Sequence, residues 1–318
     1  MSSRIVTRGA TYAAAALLLS PAAVARAQLR GVYPPGFAGM LAGTQAPPGL
    51  DVVLPVFGYT TNNLKDDDGH TVGPRPQVTT LLIAPGLSWV LPLKWEGGNV
   101  GGSALLLPFM QTGIEGHRLN SGGSLKFSDL YLEPIQLGWH SDPVDWLVAY
   151  EIVLPTGQYH FGDPGNGGMG MFSNLLQGGT TVRLDDSGEW STSLLATFEM
   201  HGDKKGTEVH TGDILTVEGG TGRTFTRRAQ SPPFIATVGL VYYGQFKTSR
   251  DHAPSVDPIF AGREDHVYGI GGEFGMYVPW AKLQTSMRVL GEIGAHNRTQ
   301  GLTMVLELAH QFHRFGPK

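Results

Sequence analysis

Seven acidic residues fall where an alternating pattern would turn them to one side of a sheet: Glu133, Glu151, Glu199, Glu218, Glu273, Glu292 and Glu307, with Arg183 and Arg288 as basic partners. If that side lines the lumen of a barrel, two chemistries stand open. The acids form a charged constriction that biases passage toward cations or neutral solutes. Alternatively, a cross-strand Glu–Arg network fills and rigidifies the interior, the favoured reading because a twelve-strand lumen lies between filled and open cases. Other residue patterns point elsewhere on inspection. Gly165-Asn166-Gly167-Gly168-Met169-Gly170 satisfies GxGxxG, but a dinucleotide site needs a strand before it and a helix after it. No helix is indicated, so the stretch reads as a loop. Asp66-Asp67-Asp68-Gly69-His70 is rich in calcium-type ligands yet lacks EF-hand spacing, and reads as a solvated extracellular loop. Ser193 with His201, or Ser286 with His296, supplies the residue types of a lipid hydrolase or deacylase. Both pairs face the lumen in the expected register and no GxSxG elbow exists, so no catalytic residue is assigned. No cofactor or metal site is assigned either.

The elements that would carry these residues begin after an export signal. Arg4 and Arg8 precede an apolar stretch from Tyr12 to Leu19, and Ala25-Arg26-Ala27 fits a small-x-small cleavage site, which places cleavage before Gln28. Removing residues 1–27 takes three arginines and no acid, so the formal charge of −4 becomes −7. That balance argues against nucleic-acid binding. There is no cysteine, which excludes a disulfide framework and thiolate sites. No stretch after Gln28 is long and apolar enough for a membrane helix, so a membrane-embedded form must be a closed barrel, with every backbone group satisfied internally.

Glycine (45) and proline (21) cut the chain into segments as long as a tilted membrane strand. From Leu302 onward, Leu302, Met304, Leu306, Leu308 and Phe312 alternate with Thr303, Val305, Glu307, Ala309 and Gln311. Trp190 to His201, Leu283 to Ala295, Tyr268 to Val278 and Trp146 to Leu154 repeat the design. Twelve strands are expected, near 50–60, 78–91, 101–113, 128–140, 146–155, 172–184, 189–201, 211–222, 234–246, 266–278, 283–295 and 300–312, with 50–60 and 101–113 the least regular. The result is an all-β, antiparallel up-and-down transmembrane barrel over 50–312, followed by a tail at 313–318. Residues 28–49 are rich in Gly, Pro and Ala and fit no strand. They are either a plug in the periplasmic mouth or a disordered tail. Short links (Lys94–Val100, Ser141–Asp145, Asp185–Gly188, Thr226–Pro233, Pro279–Lys282) alternate with longer polar ones, which puts the short ends in the periplasm. All six tryptophans, Trp89, Trp95, Trp139, Trp146, Trp190 and Trp280, lie in or near the short links. An aromatic girdle at the headgroup level predicts that one-sidedness.

Several motifs resemble one family. Gly31-Val32-Tyr33-Pro34-Pro35-Gly36-Phe37 and Ala46-Pro47-Pro48-Gly49-Leu50 open the mature chain, followed by Leu64-Lys65-Asp66 and Leu137-Gly138-Trp139-His140. Val153-Leu154-Pro155-Thr156-Gly157-Gln158-Tyr159 and the closing run to Phe312 complete the set. The chain resembles the outer-membrane proteins named for the meta-pathway of phenol degradation, across nearly all of its mature length. The resemblance implies an outer-membrane barrel that takes up small hydrophobic or aromatic solutes, a function assigned to the family mostly from operon context. Its partners would be outer-membrane lipid, the barrel-assembly machinery and that solute. Phe312 and Phe315 are the two candidates for the C-terminal assembly signal. A structural or receptor barrel without transport is the alternative.

Overall fold

The alternation closes into a single antiparallel barrel of twelve strands. The computed structural model describes residues 30–315 except 73–76, 117–118, 162, 164, 228–233 and 253–264. The signal peptide with its cleavage site and the end of the C-terminal tail lie outside the described residues, as does much of the Thr226–Pro233 link. In chain order the segments are β1 (Gly49–Leu64), β2 (Gln77–Ile83), β3 (Gly86–Trp95), β4 (Gly98–Leu105), β5 (Phe109–Gly116), β6 (Leu119–Gly122), β7 (Lys126–Phe127) and β8 (Leu130–Ser141). They continue with β9 (Val144–Leu154), β10 (Ser173–Arg183), β11 (Trp190–His201), β12 (Ile214–Arg227), β13 (Phe234–Lys247), β14 (His266–Val278), β15 (Leu283–His296) and β16 (Thr299–Arg314). The last strand returns to the first, Gly49 opposite Arg314 and Leu64 opposite Thr299, so the sheet closes on itself.

Three of the twelve strands are broken. β2 and β3 form one strand interrupted at Ala84-Pro85, and both pair with β1. β4 and β5 form the next, interrupted at Leu106-Leu107-Pro108, and β7 and β8 the third, at Ser128-Asp129. A proline has no N–H to give to the ladder, and here the gap propagates sideways. Ala84 N–H donates to Pro55 O (3.0 Å), Leu106 N–H to Pro85 O (3.1 Å) and Ser128 N–H to Pro108 O (2.7 Å). The expected strands at 78–91 and 101–113 are therefore each discontinuous, whereas 50–60 belongs to a 16-residue strand.

Inside and outside separate by parity. On β11, Ser191, Ser193, Leu195, Thr197, Glu199 and His201 are buried while Trp190 and Leu194 are exposed. Leu176, Leu240, Ile270, Phe274, Met287 and Ile293 likewise stand exposed on the outer wall. A closed barrel with such an exterior belongs in a membrane, where lipid covers the apolar side chains and every strand has two partners. Trp95, Trp146, Trp190 and Trp280 project outward at the end of the short turns. Trp89 and Trp139 are half-buried there, Trp139 donating its indole N–H to Glu96 O (2.9 Å). The two-residue turn Glu96-Gly97 has positive φ at both positions (47° and 80°), the geometry of a tight hairpin.

Candidate functional site

The lumen is threaded by the segment that precedes β1. Residues 30–48 run from the end of the long loops to the end of the short turns. At the outer end Arg30 donates to Thr299 Oγ1, and its guanidinium lies over the Tyr59 ring, 4.9 Å from the centroid. Glu199 Oε2 then accepts the backbone N–H groups of Val32 (2.7 Å) and Tyr33 (3.0 Å). Glu218 takes the Tyr33 hydroxyl and the N–H groups of Gly36 (2.7 Å) and Ala38 (3.1 Å). Glu273 accepts Met40 N–H at 2.8 Å. At the inner end Gly43 N–H reaches Thr181 Oγ1 (3.1 Å), Thr44 Oγ1 reaches Asp145 Oδ2 (2.9 Å), and Gln45 Nε2 reaches Asn99 O (3.3 Å). A glycine-rich strip has backbone donors but little side chain, and carboxylates on the wall satisfy those donors with charge-assisted bonds.

Apolar packing supports the same path. Val32 and Tyr33 pack with Val153, Met171 and Leu175. Met40, 1% exposed, joins Val241, Tyr243, Val267, Leu290 and Ala295. It enters a socket made by what the wall lacks: a Cβ on Gly222 or Gly239 would run into the Met40 side chain. The segment's own glycines allow equally close approach. A Cβ on Gly43 would collide with the Thr180 backbone, and one on Gly31 with the Glu199 carboxylate.

The acids noted in the sequence occupy different situations. Glu199 and Glu218 are fully buried against the segment, and Glu133, Glu273 and Glu292 are buried as well. Glu151 and Glu307 are partly exposed. Glu292 accepts the hydroxyls of Tyr59 (2.8 Å) and Tyr243 (2.9 Å) and the N–H of Gly301 (2.6 Å). Glu133 is bonded by Gln136 Nε2 (3.2 Å). Arg288 bridges Glu273 (Nε–Oε2 3.2 Å) and Glu307 (Nη2–Oε2 2.5 Å) and also donates to Phe37 O. Arg183 pairs with Asp145 (2.8 Å) rather than with a glutamate. Asp145, 1% exposed, was invisible as a site residue because it stands beside a turn. So were Tyr131, which donates to Val32 O, and Thr181. The one trace in the sequence is an acid at the end of the short Ser141–Asp145 link, which the strand pairing sets opposite Thr181.

The other motifs are used locally. Ser193 Oγ donates to Gly39 O (3.2 Å), while His201 Nδ1 meets Ser173 Oγ (3.0 Å). Ser286 donates to Glu307 (3.1 Å), and His296 Nδ1 meets Asp67 O (2.7 Å). Neither serine is bonded to the histidine paired with it above. The glycine run at 165–170 is a loop folded against the break in the wall, where Asp129 accepts Gly157 N–H (2.9 Å) and Met169 N–H (2.6 Å). Asp66 Oδ1 caps its own turn, taking the N–H groups of Asp68 (3.1 Å) and His70 (2.8 Å).

Comparison with known proteins agrees with this architecture. An outer membrane channel from Pseudomonas putida F1 superposes with a TM-score of 0.69 at 14% identity, covering 88% of this chain and 99% of that one. The beta domain of the Bordetella autotransporter Brka gives 0.51 at 9% identity, with 83% and 100% covered. These similarities concern the fold. No curated protein matches the sequence. The family described as "Putative MetA-pathway of phenol degradation" matches residues 61–308, from the top of β1 to the middle of β16, and the chain belongs to that family.

Proposed function

We propose that this barrel is an outer-membrane channel for uptake of small hydrophobic or aromatic compounds, with residues 30–48 as its plug. One observation carries the proposal: the segment that fills the lumen is fastened almost wholly by side-chain and backbone contacts outside the barrel's ladder. It can shift without breaking a strand pairing. The family's association with phenol degradation supports an aromatic solute, and the Pseudomonas putida neighbour is itself a channel. The solute would pass through the lumen once the plug shifts, or escape sideways where the ladder is thinnest, beside Pro85 and Pro108. The acids and Arg288 act here as fastening for the plug more than as an open constriction. The tryptophans at the short turns anchor the inner interface, where indole prefers to sit. We assign no catalysis, because the Ser and His side chains are committed to separate partners.

The test is removal of residues 30–47, followed by single-channel conductance in planar bilayers and by flux of labelled toluene into liposomes. Conductance and flux should both rise. Unchanged conductance would end the plug assignment. Absence of toluene flux in the wild type and in the deletion would favour a structural or receptor barrel, a reading to which the filled lumen lends some support.

A further inference from the structure

The outer wall carries a groove that the channel does not use. It lies at the long-loop end of β12–β15, has a volume of about 490 Å³, and is lined by Val217, Tyr242, Phe246, Tyr268, Ile270 and Ile293. Gly244 opens its floor, with the Phe246 and Tyr268 rings standing edge to face beside it, centroids 5.6 Å apart. His266 stacks against Phe246 (6.5 Å) and against His296 (4.5 Å), and His296 in turn contacts the first long loop through Asp67 O. That contact marks the boundary with water, so the groove descends from the headgroup level into the outer half of the hydrocarbon. It is continuous with the lipid-facing wall and almost devoid of polar atoms, so hydrocarbon is what reaches it. Apolar surfaces gain nothing from merely leaving lipid. Association there comes from van der Waals contact, and a trough with aromatic walls touches a chain on three sides where the flat wall touches it on one.

We propose that the groove holds a single acyl chain of an outer-leaflet lipid, retained far longer than the chains that cover the rest of the barrel. A Cβ on Gly244 would come within 2.9 Å of the Phe246 ring, so Gly244→Leu fills the trough. Gly178, outward on β10 with nothing within 4 Å of a Cβ, gives a matched control, Gly178→Leu. Full-length barrel is reconstituted in phosphatidylethanolamine vesicles doped with the same lipid bearing a diazirine in its acyl chain. After photolysis, labelling of residues 242–246 and 268–270 should exceed that of Leu176 and Leu194 several-fold. Gly244→Leu should lower it to that background, and Gly178→Leu should leave it unchanged. If Gly244→Leu fails to show heat-modifiable migration, Ile293→Trp closes the groove from the other wall. Uniform labelling of the wall would overturn the proposal. So would labelling abolished by saturating toluene, which would give the groove to an aromatic solute.

Discussion

Met40 offers the sharpest test of how the lumen is closed. Its side chain is 1% exposed and fills a socket of Gly222, Gly239, Val241, Tyr243 and Leu290. None of these contacts belongs to a strand pairing, so truncation should act on docking of the segment and not on the barrel. Met→Ala at a buried site costs about 2–5 kcal/mol. At about 1.4 kcal/mol per decade, the undocked-to-docked ratio rises by about 30-fold to about 4,000-fold. The segment's hydrogen bonds to Glu199, Glu218 and Glu273 remain, so docking weakens without being lost. In planar bilayers the Met40→Ala barrel should therefore flicker between closed and open levels. Its open level should match that of the barrel lacking residues 30–47, and its heat-modifiable migration should remain wild-type. An open fraction equal to wild type, beside a deletion that does open, would refute the reasoning. It would mean that the carboxylates alone set the docking energy.

Further perturbations separate the fastening from the frame. Arg288→Met strands Glu273 and Glu307 without their cation and should cost about 3–5 kcal/mol in urea unfolding from micelles; a loss below about 1 kcal/mol would show that water reaches the pair. Lys204 lies in the loop between β11 and β12, its ammonium on Met169 O (3.1 Å) and near the Tyr159 ring. Burial pushes its pKa from 10.5 down to about 8, with Lys247 adding to the drop and Asp251 and Asp129 opposing it. Between about 8 and 10.5 the closed loop thus binds fewer protons than the opened one, so closure strengthens as pH rises through that window and levels off below it. Hydrogen-exchange protection of the Met169 and Val209 amides, normalised for intrinsic rate, should follow that trend, and Lys204→Met should abolish it. Phe312 is 67% exposed on the outer face, at the register shift between Leu50 and Asp51, whereas Phe315 packs on His313 and donates its N–H to Pro48 O. Phe312→Ala should slow assembly into native membranes, and Phe315→Ala should not; the reverse result would move the assembly signal to Phe315.

The frame of this molecule is legible in its residues taken strand by strand. Alternation in Trp190–His201 and Leu283–His296 names the inward residues, because in a strand each side chain faces opposite to its neighbour whatever the rest of the chain does. Turn residues such as Glu96-Gly97 set the hairpins by equally local rules. The breaks at Pro85 and Pro108 are visible as prolines. That they line up into one interrupted patch depends on register between strands, which no single segment contains. Glycines on the inward face are readable only as small residues suited to a narrow wet lumen. They are sockets: Gly222 and Gly239 lie 17 residues apart and are brought opposite each other by the pairing of β12 with β13, where Met40 enters.

By itself, then, the chain decides which face each residue takes, how many strands there are and which end carries the short turns, since all three follow from period, length and turn chemistry. Whether an inward acid meets an arginine, a tyrosine or the backbone of residues 30–48 depends on curvature and closure. Glu199 and Val32 stand 167 positions apart along the sequence, and only joining β16 to β1 makes an enclosed space in which the two must meet.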